Sequence, residues 1–593
     1  MDMAASEMQL SVEELNLNEQ VWVDLHLTHR SVPFFSNIFN KIANHSIPAI
    51  NLWRKLQSLA TYSQDTLVAE VQRLARFAPE SLKKELDPKL HAPIHRLPDD
   101  ILSDIFLLGL QDAHADDEDF EKPQHYQGLI SLVCRRWKVV IEGTPLAWAN
   151  ITVLDRQPFT ITKRFLRLSG TCLINIAINW CIFPVKGEGD TLDAYTVDEM
   201  SRLFRLLRAE AHRWRSFSVA VEDYFIILYV VQELQRVAVP NLRMLWLSHH
   251  DDEDSKDLTP PGMLVKYKLF QIPPGAPLLR DITLWGTPVD WSSPFLSSNL
   301  RKLALCHHHD HLRPEPQRFF EILSSSSETL EELTLESSGP IINGVDWEQF
   351  VSSKIELPNL HTLKVAFVSA EYARRMLDII VARGVKELTL DFDDFEISPL
   401  EWNEFIKQLC IGGIYSQEMM FPALTSLGLL SLPAFPIYLG TLLYFHPQIT
   451  SLIINFNYVD EDLLATLAAP ISKIRVPPSL LPEWAATLHS EVSQYQDKFR
   501  TTDKTMDESV RRKMWVCPEL RKLKVYGVCG EQLIPVVEGR KEGGVPLKEV
   551  WYADTCTLKM SDRAWLKANL EVFEEFEDDE DEDMEDDEDD EDD

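Results

Sequence analysis

Cysteine is sparse: eight in 593 residues, with no pair at short spacing. That excludes a disulfide framework and a zinc ribbon. Cys134, Cys172, Cys181, Cys306, Cys410, Cys517, Cys529 and Cys556 read instead as free thiols in a reducing compartment. Glycine is also scarce, at 21 residues, and never clusters into a phosphate-cradling loop. With no nucleophile elbow or zinc-protease helix either, the chain is read as non-catalytic and free of cofactors. No run approaches the ~18 apolar residues a membrane helix needs. The N-terminus, MDMAASEMQLSVEELNLNEQ, lacks the basic and apolar regions of a secretory signal. The expected location is cytoplasm and/or nucleus. Positive charge is in deficit, 58 Lys and Arg against 93 Asp and Glu, so nucleic acid is not an expected partner, and neither is a membrane.

Core-forming material is plentiful, with 45% apolar residues, 15 Trp and 28 Phe. The length exceeds what one hydrophobic core usually serves, so several domains or a repeat array is expected. The net charge of −35 is unevenly spread: Glu571 to Asp593 holds 19 acidic and no basic residues, leaving −16 elsewhere. Nothing there can be buried and its charges repel, so 571–593 is read as a disordered acidic tail.

Residues 1–92 read as partly helical, with Leu52, Leu56 and Leu59, then Leu67, Val71, Leu74 and Phe77 at helical spacing. Residues 93–148 form a sharper unit. Pro98 before Asp99 and Asp100 is a good helix start, because proline fits the first turn and carboxylates complement the dipole. Ile101, Ile105 and Leu108 then make one stripe. A second helix is predicted from about Tyr126, through Leu129, Val133, Trp137 and Val140, stopping at Gly143-Thr144-Pro145. Between the two, Gln111 to Gln124 reads as a solvated acidic loop.

From Leu242 onward one pattern recurs: an aliphatic residue followed three and five positions later by two more. Examples are Leu242-Leu245-Leu247, Leu279-Ile282-Leu284, Leu330-Leu333-Leu335 and Val385-Leu388-Leu390, with weaker copies at Ile471-Ile474-Val476 and Leu547-Val550-Tyr552. Each copy reads as a short strand whose inward residues must stack on neighbouring copies, with helical segments such as Ala370 to Arg383 outside. The intervals are irregular, so isolated strands of an ordinary open sheet are the alternative. Insertions are expected near 249–262 and 480–515.

The strings IHRLPDDILSDIF, LISLVCRRWKVVI and PLAW together resemble the F-box family, carried by Leu97, Pro98, Ile101, Ile105, Leu132, Val133, Cys134, Arg135, Arg136 and Trp137. The fold expected is therefore α+β: an N-terminal helical F-box module, an irregular α/β leucine-rich-repeat solenoid over 149–570, and the acidic tail. The resemblance implies that Leu97, Pro98, Ile101, Ile105, Leu132, Val133 and Trp137 bind the Skp adaptor and through it a cullin scaffold. The protein would then be the substrate-recognition subunit of an SCF-type ubiquitin ligase, holding an unidentified protein, or a scaffold that binds the adaptor without promoting ubiquitination. A different reading starts from the tail. Acidic leucine-rich nuclear phosphoproteins also join repeats to an acidic end, which would make this a histone-binding or chaperone-like protein.

Residues between the aliphatic anchors should face away from the core. Trp246 and Trp551 are expected to be exposed contact anchors, or else covered by a flanking loop. Lys473, Arg475, Lys522 and Lys524 form a basic patch where substrate, or the folded-back tail, could dock. His307-His308-His309-Asp310-His311 has metal-ligand residue types but adjacent positions, which rarely converge on one ion, so no metal is expected.

Overall fold

A computed structural model describes residues 97–115, 126–181, 195–250, 266–341 except 298, Trp347, Phe350, 354–392, 399–411, 420–456 except 433, 462–470 and 515–576. The chain divides at Pro98. Of the first unit, Met1–Pro98, only Leu97 and Pro98 are described, so the helices expected around Leu52 to Phe77 lie outside the described residues. The second unit runs from Asp99 to Asp593 and holds all the helices and strands below.

It opens with helices α1 (Asp99–Ala115), α2 (Tyr126–Val133) and α3 (Arg135–Glu142), then a 3-10 turn, Pro145–Trp148. The single second helix expected from Tyr126 is two: Cys134 is extended, at φ −164° and ψ 164°, and breaks the run. The first helix also continues to Ala115, into the stretch expected to be loop.

Strands and helices then alternate: β1 (Asn150–Val153), α4 (Thr160–Leu168), β2 (Ile174–Asn179), α5 (Val197–Arg208), β3 (Trp214–Val221), α6 (Tyr224–Leu234), β4 (Met244–His249), β5 (Asp281–Trp285), β6 (Lys302–Cys306), α7 (Pro316–Ser325), β7 (Glu332–Glu336). After β8 (Ile355–Glu356) come β9 (Thr362–Ala366), α8 (Ala370–Ile379), β10 (Ile380–Val381), β11 (Glu387–Asp391), α9 (Pro399–Ile411), β12 (Ser426–Leu429) and α10 (Pro436–Phe445). The last elements are β13 (Ser451–Asn455), α11 (Asp462–Ala468), β14 (Lys522–Tyr526), α12 (Gly530–Glu542), β15 (Glu549–Ala553), α13 (Met560–Asn569) and β16 (Val572–Phe576).

Except for β8 and β10, which pair with each other, the strands form one 14-stranded sheet in sequence order. The pairings are parallel throughout. The architecture is mixed α/β around a large parallel sheet. Aliphatic anchors explain it. In register, Leu245, Ile282, Leu303, Leu333, Leu363, Leu388, Leu427, Leu452, Leu523 and Val550 form one ladder, none more than 2% exposed. A lone strand could not cover such a row; two neighbours do. Consecutive helices α8 to α13 pack on one another in turn. At Gly539 the α11 end comes so close that a Cβ would overlap the Ala468 carbonyl oxygen, so only glycine fits.

Three expectations change. The sheet begins before the Leu242 copy, with β1 to β3. Its far edge, β16, takes Val572–Phe576 out of the stretch read as an unfoldable tail: Phe573 is 6% exposed and its ring stacks on Tyr552 at 4.7 Å. Finally, β13 pairs directly with β14, while Ile471, Ile474 and Val476 lie outside the described residues. Residues 577–593 lie outside them as well.

Candidate docking surface

The helices α1 to α3 close a small core of their own. Leu102, Phe106 and Leu110 on α1 meet Ile130 on α2, and Trp137, Val140 and Ile141 on α3, all buried. The Phe106 and Trp137 rings lie 5.0 Å apart. Polar bonds tie this core to the 3-10 turn. Gln127 Nε2 donates to the Ala147 carbonyl at 2.9 Å, and Trp148 Nε1 to the Ile141 carbonyl at 2.8 Å. Thr144 Oγ1 donates to the Val140 carbonyl at 2.7 Å and lies 2.9 Å from Ser103 Oγ.

Two contacts fix how α1 and α2 run. The Tyr126 ring lies against Gly109, where a Cβ would overlap its hydroxyl. At the other end Arg136 grips Asp99, its Nε at 3.0 Å and Nη2 at 2.6 Å from Oδ1. The start of α2 therefore lies beside the second half of α1, and the α2–α3 junction lies beside the start of α1. Ile101 and Ile105 share that end with Leu132 and Val133.

Those four side chains are not spent on the core. With Leu108, Val139 and Leu146 they are 40 to 70% exposed, and they make up seven of the fifteen exposed large hydrophobics among the described residues. Such side chains scattered singly need no explanation, but a concentration like this makes α1 to α3 a candidate interaction surface. Trp137, expected with them, is buried at 9% exposure because its indole fills the gap beside Phe106. Leu97 is half-buried and Pro98 exposed, just ahead of α1. Val139 and Leu146 were not singled out by sequence. Val139 is masked by its buried neighbours Val140 and Ile141, and Leu146 by sitting in the Pro-Leu-Ala-Trp turn whose Trp148 is core.

The strand-face residues are less free than expected. Trp246 and Trp551 are half-buried rather than exposed. Trp246 has Ser218 and Thr283 as register neighbours, and an indole is broader than the strand spacing, so the neighbouring strands cover part of it. Lys522 Nζ sits 5.2 Å from the Trp551 ring centroid, and Lys524 Nζ 3.7 Å from that of Phe576. Both lysines are thus engaged with rings. Lys473 and Arg475 lie outside the described residues.

The histidine cluster diverges. His307 stacks on Trp285 at 4.3 Å and approaches Glu336 Oε1 at 3.5 Å. Burial opposes charge on Glu336, but His307 and Lys364, the latter 3.0 Å away, hold its carboxyl below the usual range. His308 turns inward to Ser338 Oγ at 2.8 Å, and burial, with Arg313 adding to it, pushes its pKa down to about 3. The backbone causes the divergence: His307 has φ +47°, which turns the chain between the two rings. Among the described residues no group of three or more His, Cys, Asp or Glu side chains could hold a metal ion, and no helix is long and apolar enough to cross a membrane.

No protein-family model matches the chain, and no curated protein matches it.

Proposed function

We propose that this chain is an F-box-type receptor that docks a Skp adaptor on α1 to α3 and presents a protein substrate from a leucine-rich-repeat solenoid built on its sheet. The observation that carries this reading is the concentration of exposed Ile101, Ile105, Leu132 and Val133 at one end of a three-helix unit whose inner face is filled by Leu102, Phe106, Ile130 and Trp137. The motif strings that resemble the family supply those same positions. Each apolar side chain buried in a partner contributes about 1.5–3 kcal/mol, so several together can offset an association cost of about 4–15 kcal/mol. Trp137 supports the site from within rather than touching the adaptor. The acidic segment 577–593 would be an appendage to this receptor.

The test is a pull-down with purified Skp adaptor. Wild type should be captured, and Ile101→Asp/Ile105→Asp should not, with its melting temperature unchanged. Failure of the folded wild type to bind rejects the adaptor reading. A ubiquitination assay on a captured substrate then separates a ligase receptor from a scaffold that only binds.

A further inference from the structure

One row of the sheet holds four arginines, three of which have no carboxylate partner among the described residues. The residues just ahead of the register positions Ser216, Met244, Asp281 and Lys302 are Arg215, Arg243, Arg280 and Arg301. Backbone bonds join them into one line across four adjacent strands. Arg243 N donates to the Arg215 carbonyl at 2.8 Å, Arg280 N to Arg243 at 3.0 Å, and Arg301 N to Arg280 at 2.8 Å. Neighbouring strands lie about 4.8 Å apart, so the four guanidinium groups start from one short edge of the sheet.

Arg301 shows how this row takes a ligand. Its Nε and Nη2 reach the two carboxylate oxygens of Asp281 at 3.0 and 2.9 Å, and its Nη1 reaches Glu331 at 3.3 Å. The planar fork is filled by carboxylates. Arg215, Arg243 and Arg280 are exposed, and none has a carboxylate partner among the described residues. In a chain of net charge −35, three consecutive unanswered arginines run against the average. Beyond Arg301 the row changes sign at Glu331, which closes it on that side.

We infer that Arg215, Arg243 and Arg280 are a docking row for an extended, Asp/Glu-rich segment of a partner protein, which supplies to each arginine the carboxylate that Asp281 already supplies to Arg301. The segment crosses the strands along the edge where they begin. This surface is separate from α1 to α3, and binding to it is independent of adaptor docking.

Anisotropy of a fluorescein-labelled, unphosphorylated Glu-rich peptide, titrated with the full-length chain, tests this. Wild type should bind, and binding should weaken as salt is raised. R215Q/R243Q/R280Q should bind about tenfold more weakly, the sum of three exposed ion pairs, with unchanged thermal melting. K522Q/K524Q should match wild type, because those lysines lie on rings. Absence of binding by wild type, equal binding by the triple variant, or an equal loss in K522Q/K524Q overturns the inference. So does a phosphoserine peptide of matched charge that binds where the Glu-rich one does not.

Discussion

The three-helix unit and the sheet treat apolar residues in opposite ways. Along the described strands from β4 to β15 each anchor finds the anchor of the next strand, and the ladder stays dry. In α1 to α3 each helix divides its apolar residues between a small inner core and the solvent. A repeat array can extend its core by adding units, and its interior grows with the chain. Three short helices cannot, so apolar side chains beyond what Phe106 and Trp137 cover stay exposed. The same residue type therefore means stability in one region and, on the proposed function, docking in the other, and mutation should separate the two.

The largest effect is expected inside the ladder. Leu284 is 0% exposed on the interior strand β5. Leu284→Ala should lose about 2–5 kcal/mol in urea unfolding, since its strand neighbours cannot collapse onto the hole. Leu132→Ala on α2, half exposed, should stay within about 0.5 kcal/mol while weakening adaptor capture. Equal costs for the two would erase the distinction between the regions.

Arg540 sharpens the comparison within the sheet. It is 0% exposed and donates Nη1 to the Val516 carbonyl at 3.1 Å and Nη2 to the Cys517 carbonyl at 2.7 Å, with no carboxylate among these partners. Burial lowers its pKa to about 10, so it remains charged at neutral pH. Arg540→Leu should cost about 1–3 kcal/mol by leaving the buried Val516 carbonyl unpaired, while the Cys517 carbonyl keeps its bond from Leu520 N. Arg540→Lys should not recover this, because one ammonium cannot reproduce the fork. Full stability of the lysine variant would show that charge, not geometry, matters there.

A third effect is set by pH. Unfolded, a histidine titrates near 6.5; folded, His308 is held at about 3 by burial. Between these values the unfolded chain takes up a proton that the folded chain refuses. Its contribution is therefore complete above pH 6.5 and falls as pH drops toward 3, by about 2 kcal/mol at pH 5. His308→Asn keeps a hydrogen-bonding group for Ser338 Oγ and lacks this titration. Its stability should fall less than that of wild type between pH 7 and pH 5, and parallel curves would assign the acid sensitivity elsewhere, such as to His446, which burial also depresses.

The sheet was legible in most strands with aliphatic anchors and hidden at β1 and β3, whose anchors include aromatics; β2 was passed over as well, although Leu173-Ile176-Ile178 has the same spacing. Leu330-Leu333-Leu335 announces a strand through its spacing alone. In β1 and β3 the same three anchor positions are Trp148-Ile151-Val153 and Trp214-Phe217-Val219, all buried, and a search for aliphatic triplets passes over them. The edge strand β16 hides further, since Phe573 is followed by Glu574 and Glu575 and reads as the start of an acidic run. The helices α1 to α3 were legible as a pattern, but not which side of each helix faces inward. Trp137 and Val133 are four residues apart, yet Cys134 breaks the helix between them, and one is buried while the other is exposed. The arginine row was invisible because its members are 28, 37 and 21 residues apart in sequence and align only through strand register.

The smallest effect concerns that edge strand. Just ahead of β15 and β16 lies a visible ion pair, Lys548 Nζ to Glu571 Oε1 at 2.7 Å, with the side chains 42% and 66% exposed. A pair this wet is screened and must immobilise two long side chains, so it contributes about 0–1 kcal/mol despite its short distance. What holds β16 is the backbone ladder from Glu549–Val572 to Ala553–Phe576, together with Phe573 packed on Tyr552. A double-mutant cycle of Lys548→Ala and Glu571→Ala should give a coupling below about 1 kcal/mol that shrinks further in high salt, whereas Phe573→Ala should cost about 3 kcal/mol. If the ion pair proved the stronger of the two, the edge strand would be held by charge rather than by the apolar stacking that governs the other strands, and the uniformity of the sheet would end one strand short of its edge.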